Sequence, residues 1–377
     1  MDFDFSDDQE SLRDAVRRWV DKGFGFERRH GIAKAGGATR KVYGELAELG
    51  LTGLAVPESQ GGMGFGPVEA MVVCEELGRG LVNAPYAHGA LVAPTLLSAA
   101  PAELQAEWLP KIADASALIV LAHQERAARY RLNHVTTTAA KVGSDWTLSG
   151  AKSLVPAGDE ADAFIVPART AGAAADAAGI GLFLVPKGAN GLAVRGYPTQ
   201  DGARAAELAL KDTPATWIAA DALPLLEQAI DAGIAAVCAE AVGAMDKLVG
   251  ITAEYMNTRK QFGVAIATFQ ALRHRIADVK MQLELARSMS YYASLKLSEA
   301  PAVRRRAIAQ AKYQLGQSMR FVGQQCIQLH GGIGVTDEYI ASHYFKRLTV
   351  LEMTFGDSLH HLGEVSARMQ DSAGVFA

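Results

Sequence analysis

Arg259-Lys260-Gln261-Phe262-Gly263, with Thr268-Phe269-Gln270 just after it and Gln328-Leu329-His330-Gly331-Gly332-Ile333-Gly334 further on, is the part of the sequence that decides the fold. The first string closes a long helical pattern running from Asp246, and after a short turn a second helix starts at Ala271. Together the strings supply a fixed cation in Arg259, amide side chains in Gln270 and Gln328, an aromatic ring in Phe262, and a Gly331-Gly332 pair that lets another group approach the backbone closely. A polar, anionic cofactor needs such a set, and no member of it moves a proton. The constellation binds rather than catalyses. Taken singly, Arg259 reads equally well as a cap on its helix C-terminus, and the glutamines as polar residues at helix ends. Their joint occurrence with Phe262 and the glycine pair favours cofactor contact. His330 reads as a packing residue.

Working outward, 377 residues are too many for one ordinary core and predict two or three packed units. Hydrophobic residues at 49% and charged residues at 21% give an ordinary globular balance, with surplus alanine in helical periods. A net charge of -4 leaves no electrostatic footprint for nucleic acid or anionic membrane. The three cysteines, Cys74, Cys238 and Cys326, form no disulfide or metal-ligand pattern, which fits a reducing cytoplasm. The start, Met1-Asp2-Phe3-Asp4-Phe5, is acidic and lacks the basic and apolar stretches of a signal peptide. No segment is apolar for long enough to span a membrane.

Ser6 with Gln9 three residues on reads as a helix-capping pair, and Leu12, Val16, Trp19 and Val20 follow at helical spacing. A second helix carries Val42, Leu46 and Leu49 and stops at Gly50. The glycine-rich stretch from Gly61 to Gly66 reads as a mobile connector, and Pro67 as a helix start. Further helices run through Leu91 to Leu97 and Leu104 to Ile112. From Ala117 the period changes. Short strands are predicted at Leu118–Ala122, Val135–Thr138, Trp146–Leu148, Ala163–Val166, Gly181–Val185 and Leu208–Leu210, separated by turns such as Gly143-Ser144-Asp145, as in an antiparallel sandwich or barrel. Ala171 to Ala178 is a small-residue loop. Helical periodicity returns from Leu223 to about Met369. The expected domains are therefore 1–116 helical, 117–222 β, and 223–377 a helical bundle.

The strings RKQFG, TFQALRHRIADV and QLHGGIGV resemble the C-terminal domain of the acyl-CoA dehydrogenase family, flavoenzymes that desaturate acyl-CoA thioesters. Within it, the order YPTQDG, AEAVGAM, TRKQFG, HYFKRLT most resembles the small subunits of pimeloyl-CoA dehydrogenase. The resemblance implies an α+β multidomain fold: an N-terminal helical domain, a central antiparallel β domain and a C-terminal four-helix bundle that drives homo- or hetero-oligomerisation. It implies FAD as cofactor, contacted by Arg259, Phe262, Gln270, Gln328, Gly331 and Gly332, a fatty or dicarboxylic acyl-CoA as substrate, and an electron-transfer flavoprotein as electron acceptor.

Desaturation needs a base for the α proton and a flavin for the β hydride. In the family the base is usually a glutamate directly before Gly-Thr, and the matching stretch here is Glu352-Met353-Thr354-Phe355-Gly356-Asp357-Ser358. Phe355 holds the base position, and a phenyl ring takes no proton. Asp357 is the nearest substitute, though as a helix N-cap it needs no further role. The other base position of the family falls near Gly233 and Ile234, and Glu240, two turns on, reads as a carboxylate with a raised pKa or as half of an ion pair. Glu352 and Glu338 read as structural or solvated. In the middle domain, where the family carries Thr-Glu-Pro-Gly and a Trp-Ile-Ser/Thr run against the flavin ring, the chain has Ala122-His123-Gln124-Glu125-Arg126 and Leu154-Val155-Pro156. Two alternatives stand: a self-sufficient dehydrogenase with a relocated base at Asp357, and a complementing subunit whose partner carries the glutamate. The pair His360-His361 has no carboxylate or cysteine at metal spacing, and Tyr344-Phe345-Lys346-Arg347 reads as an interface or surface run.

Overall fold

The computed structural model describes residues 4–143 and 145–369. Met1-Asp2-Phe3, Ser144 of the expected 143–145 turn, and residues 370–377 lie outside them. Helices α1 (Asp7–Gly23), α2 (Phe26–Lys34), α3 (Arg40–Glu48), α4 (Pro67–Arg79), α5 (Ala93–Leu97) and α6 (Ala102–Ala113) come first. Strands β1 (Ile119–Leu121), β2 (Thr138–Val142), β3 (Asp145–Pro156), β4 (Ala163–Arg169), β5 (Ile180–Pro186), β6 (Leu192–Pro198) and β7 (Arg204–Ala219) follow. Then come α7 (Leu223–Thr258), a hairpin of β8 (Lys260–Gln261) and β9 (Val264–Ala265), α8 (Gln270–Lys296), α9 (Pro301–His330), α10 (Ile340–Met353) and α11 (Ser358–Met369). The order helix, strand, helix is the order read from the sequence. α1 starts as its residues dictate, with Ser6 accepting from the Gln9 N–H while the Gln9 side chain accepts from the Ser6 N–H.

The chain divides into two compact units. One comprises residues 1–30, 67–82 and 234–377. In it α8 packs on α9, and α10 and α11 pack on α9 in turn. α4 crosses α7 at two glycines that each face the other helix's backbone. A Cβ on Gly78 would lie 1.9 Å from the Glu240 carbonyl oxygen, and one on Gly243 1.8 Å from that of Glu75. Gly243 belongs to the AEAVGAM string, and its role there is close helix approach. In the run at 344–347 Tyr344 is buried and donates to the Arg79 carbonyl, Arg347 pairs with Glu240, and Phe345 and Lys346 stay partly exposed.

The other unit comprises residues 31–66 and 83–233. Its sheet closes on itself through β4, β2, β3, β7, β5 and back to β4, with β6 beside β7 and β1 beside β4. The pairings are antiparallel except those of β4 with β1 and with β2, which are parallel. Phe164, Val166, Phe183, Val185, Leu148 and Leu208 fill the interior. A register shift between Lys152 and Val155 inserts one extra residue into β3, and Leu154 there has φ +52° and is 56% exposed. Residues 135–137 do not join the ladder as expected. The N–H groups of Thr136 and Thr137 go to the Glu125 carboxylate at 2.7 and 3.0 Å, so they are not available to a neighbouring strand. β6 and α2 had no expected counterpart. The glycine stretch is not a free connector: Gly62, Met63, Gly64 and Phe65 donate backbone hydrogen bonds back to Pro57, Gly53, Val56 and Leu54.

Candidate functional site

The residues expected to contact a cofactor sit where three helix ends are gathered. Met256 and Tyr255 from α7, Ile266 after the hairpin, Leu272 from α8 and Leu329 from α9 form one small apolar cluster. It fixes the segments that carry Arg259, Gln270 and Gln328. Phe262 and Gly263 turn the hairpin with φ of +53° and +81°, the two left-handed positions of a type I′ turn. Phe262 is 92% exposed and meets Phe269 edge-on, ring centroids 6.1 Å apart. Arg259, Gln270 and Gln328 are exposed, and among the described residues none of their side chains has a hydrogen-bond partner. Gly331 ends α9 with φ +64°, and a Cβ on Gly331 or Gly332 would meet nothing within 4 Å. The backbone there is open to an incoming group. His330, behind the turn, donates from Nδ1 to the Cys326 carbonyl at 2.8 Å and lies 4.6 Å from the Tyr255 ring, and burial lowers its pKa.

The turn after α10 holds Phe355 at φ +59° and 8% exposure. It is held from below by Lys312 of α9, which is fully buried and donates to the carbonyls of Leu351, Glu352 and Gly356 at 2.8, 2.7 and 3.1 Å. Burial pushes the Lys312 pKa down to about 8. His361 places Nε2 3.0 Å from the Phe355 carbonyl, and burial, with Lys312 and His360 nearby, lowers its pKa to about 2. The carboxylates around this turn are engaged. Asp357 accepts from the His360 N–H at 2.8 Å and caps α11. Glu352 accepts from the Ser358 N–H and hydroxyl at 3.0 and 2.7 Å. Glu240, on α7, lies 2.6 Å from the Arg347 guanidinium, the ion pair of the two readings its sequence allowed. Glu338 is exposed.

The β unit shows what stands where the family places the flavin ring. Glu125 is buried, and its carboxylate takes Lys152 Nζ at 2.7 Å besides Thr136 and Thr137. Its pKa falls to about 2, because the Lys152 charge and these hydrogen bonds outweigh the burial that pushes it up. The Leu154 N–H points at Glu207, 3.5 Å away, and Tyr197 donates to the same oxygen at 3.0 Å. Pro156 offers no hydroxyl. The first set, with free donors and open glycines, fits a polar, anionic cofactor; on β3 the Leu154 N–H faces the Glu207 carboxylate, and Pro156 has neither N–H nor hydroxyl to offer a flavin ring.

Sequence reasoning missed Lys312 and the Glu125–Lys152 pair. It also missed the grouping of His30, Asp337 and His343, whose ligand-type atoms lie within 4.8 Å of one another. That group already serves two fixed cations: Arg29 Nη1 meets His343 Nδ1, and Lys346 Nζ lies 2.9 Å from Asp337. No described helix is long and apolar enough to cross a membrane.

Comparison with known proteins finds three domain profiles: acyl-CoA dehydrogenase N-terminal domain over residues 6–116, middle domain over 121–213, and C-terminal domain over 223–370. Acyl-CoA dehydrogenase FadE12 of Mycobacterium tuberculosis is 29% identical over 351 residues, 89% of this chain and 88% of that protein. Among solved structures, the Tcur3481-Tcur3483 steroid ACAD G363A variant is 28% identical, with a TM-score of 0.88 over 97% of this chain and 99% of that one. The ChsE4-ChsE5 complex from Mycobacterium tuberculosis is 25% identical, with a TM-score of 0.86 over 98% and 99%.

Proposed function

Because the chain belongs to the acyl-CoA dehydrogenase family, we propose that it serves the FAD-dependent α,β-dehydrogenation of an acyl-CoA thioester as the complementing subunit of a heteromer. In this reading Arg259, Phe262, Gln270, Gln328, Gly331 and Gly332 reach the adenine and pyrophosphate of the cofactor, while a partner chain carries the catalytic glutamate and receives the flavin ring. FAD, when bound, supplies the hydride acceptor. Electrons pass on to an electron-transfer flavoprotein in a reducing cytoplasm. The order of motifs shared with pimeloyl-CoA dehydrogenase small subunits favours a medium-length or dicarboxylic acyl chain.

Phe355 carries this reading. It fills the base position with a buried ring, in a turn pinned by Lys312, and the carboxylate two residues on is committed as a cap. A base must reach its proton within hydrogen-bond distance, and a carboxylate that caps a helix has to break that bond first. Two of the matched structures are named as pairs, Tcur3481-Tcur3483 and ChsE4-ChsE5, which supports a two-chain assembly.

The deciding experiment is anaerobic addition of pimeloyl-CoA and octanoyl-CoA to the purified chain, alone and after reconstitution with its partner, watching the flavin absorbance. Bleaching only in the reconstituted complex is expected. A flavin-loaded chain that bleaches alone sinks the proposal, and Asp357 then becomes the base. Asp357→Asn separates the two readings further, since asparagine caps a helix as well as aspartate does. It should leave bleaching by the complex unchanged, whereas Asp357→Ala should cost about 1 kcal/mol of stability. Arg259→Gln should weaken FAD retention by the complex about tenfold through loss of a charge-assisted bond, read from released flavin fluorescence.

A further inference from the structure

Gly331 and Gly332 sit on a turn with little packing of its own. In the segment Gly331–Val335, between α9 and α10, only Gly334 is buried, and a Cβ on it would lie 2.9 Å from His330 Cβ and from the Ile327 carbonyl oxygen. Ile333 and Val335 are turned to solvent. A segment that buries so little opens locally unless polar contacts hold it. One hold is His330, whose ring lies 4.6 Å from that of Tyr255 and 5.2 Å from that of Tyr339, while the Tyr339 hydroxyl donates to His330 Nε2 at 3.4 Å. The other is Asp337.

Asp337 takes three bonds from two helices. Its carboxylate accepts from His30 Nε2 of α2 at 3.0 Å and from Lys346 Nζ of α10 at 2.9 Å, and its carbonyl accepts from His343 Nε2 of α10 at 2.8 Å. The partners fix the tautomers. Arg29 Nη1 donates to His343 Nδ1, so the His343 proton sits on Nε2; an ionised carboxylate only accepts, so His30 carries a proton on Nε2. That leaves His343 no lone pair for a metal ion, and the group is a hydrogen-bonded lock. Lys346 and His30 hold the Asp337 carboxyl well below the usual carboxylate range, although half of the side chain is exposed. Lys346 and His343 lie within nine residues of Asp337 and shape the turn locally. His30 is 307 residues away and ties the turn to another helix. It is a firm anchor: the ring is buried, and Phe26 stacks on it with centroids 5.2 Å and planes 20° apart. All of these residues belong to one compact unit.

We propose that Asp337 is a positioning residue: held by His30 across the fold and by Lys346 and His343 locally, it keeps the Gly331–Val335 turn in the shape that meets the cofactor. The cofactor part rests on the function proposed above, in which Gly331 and Gly332 touch FAD and Asp337 does not. A turn already in its bound shape loses less freedom when the ligand arrives, so releasing the lock costs affinity without removing a contact.

The test is amide hydrogen exchange over residues 331–336 of the full-length chain, without flavin, set beside equilibrium FAD binding by the reconstituted complex. Asp337→Ala should speed exchange of the turn about tenfold or more, as expected for losing hydrogen bonds to a charged group, and should weaken FAD binding about threefold to tenfold. Exchange in the middle of α9 and the thermal midpoint should stay close to wild type, because Asp337 is exposed. His30→Leu removes only the long-range bond and should give a smaller change in the same direction. His30→Gln places an amide donor near the former Nε2–H and should restore most of the protection, which a merely space-filling role for His30 would not produce. Unchanged exchange of the turn in Asp337→Ala overturns the proposal, as does faster exchange with undiminished FAD affinity, or a His30→Gln chain that behaves as His30→Leu does. Exchange is read without flavin, so a wild-type complex that binds no FAD removes the functional reading and leaves exchange to decide whether Asp337 shapes the turn.

Discussion

Replacing Lys312 by methionine is expected to destabilise the protein by about 3–5 kcal/mol, because it strips a donor from three carbonyl oxygens that the fold has closed off from water. Leu351, Glu352 and Gly356 all aim at that ammonium, and the turn carrying Phe355 has its shape from them. The loss should appear in urea unfolding as a lower midpoint with an unchanged slope. The pH dependence supplies a second, signed test. Burial lowers the Lys312 pKa from 10.5 to about 8. Below pH 8 the folded and unfolded chains both hold the proton, and the folded state bears the full cost of burying a charge. Between pH 8 and 10.5 the unfolded chain holds more protons than the folded one, so this group makes stability rise with pH, and above 10.5 the rise stops. Buried thiols and phenols titrate at high pH too, so the quantity to plot is wild type minus Lys312→Met. A difference that is flat across this window would mean that the amine stays charged in the fold.

Gly243→Ala is the second large effect. The new Cβ would lie 1.8 Å from the Glu75 carbonyl oxygen and 2.9 Å from the Arg79 nitrogen, both backbone atoms of α4 that no side-chain rotation can clear. α4 and α7 must separate, and the packing on either side goes with them. A loss of about 3–5 kcal/mol is expected, which is a large share of the stability of an ordinary domain. Gly250→Ala on the same helix is the control. Nothing stands within 4 Å of its Cβ, so the gain in helix propensity should be felt alone, raising stability by about 0.5–1 kcal/mol. Thermal unfolding of the two variants side by side decides the matter: equal behaviour would show that the crossing is looser than its distances say.

The parts of this protein that could be read in advance are those whose signal is local. Ser6 and Gln9 cap a helix because their spacing alone puts each side chain on the other's backbone. Phe262-Gly263 turns the chain because glycine tolerates a left-handed backbone. Lys312 was illegible for the opposite reason. A lysine in Ala311-Lys312-Tyr313 looks like any solvated lysine, and only the arrival of the 351–356 carbonyls, some forty residues on, shows it to be buried. Glu125 misled twice over. Its partners Thr136 and Thr137 have the β-branched look of a strand, yet their N–H groups serve a carboxylate instead of a ladder. Arg347, read as part of an interface or surface run, and Glu240, read as a carboxylate of raised pKa or as half of an ion pair, are a single ion pair made by distant helices.

Phe262 stands almost bare at the tip of its hairpin. In the two-chain assembly proposed above, an aromatic ring held out in water on a rigid support is a handle for chaperones and proteases until a partner covers it. On that proposal, a cell making this chain in excess of its partner would be left with a surplus that sticks or is degraded, and the need for balanced synthesis of the two chains would rest on one exposed side chain.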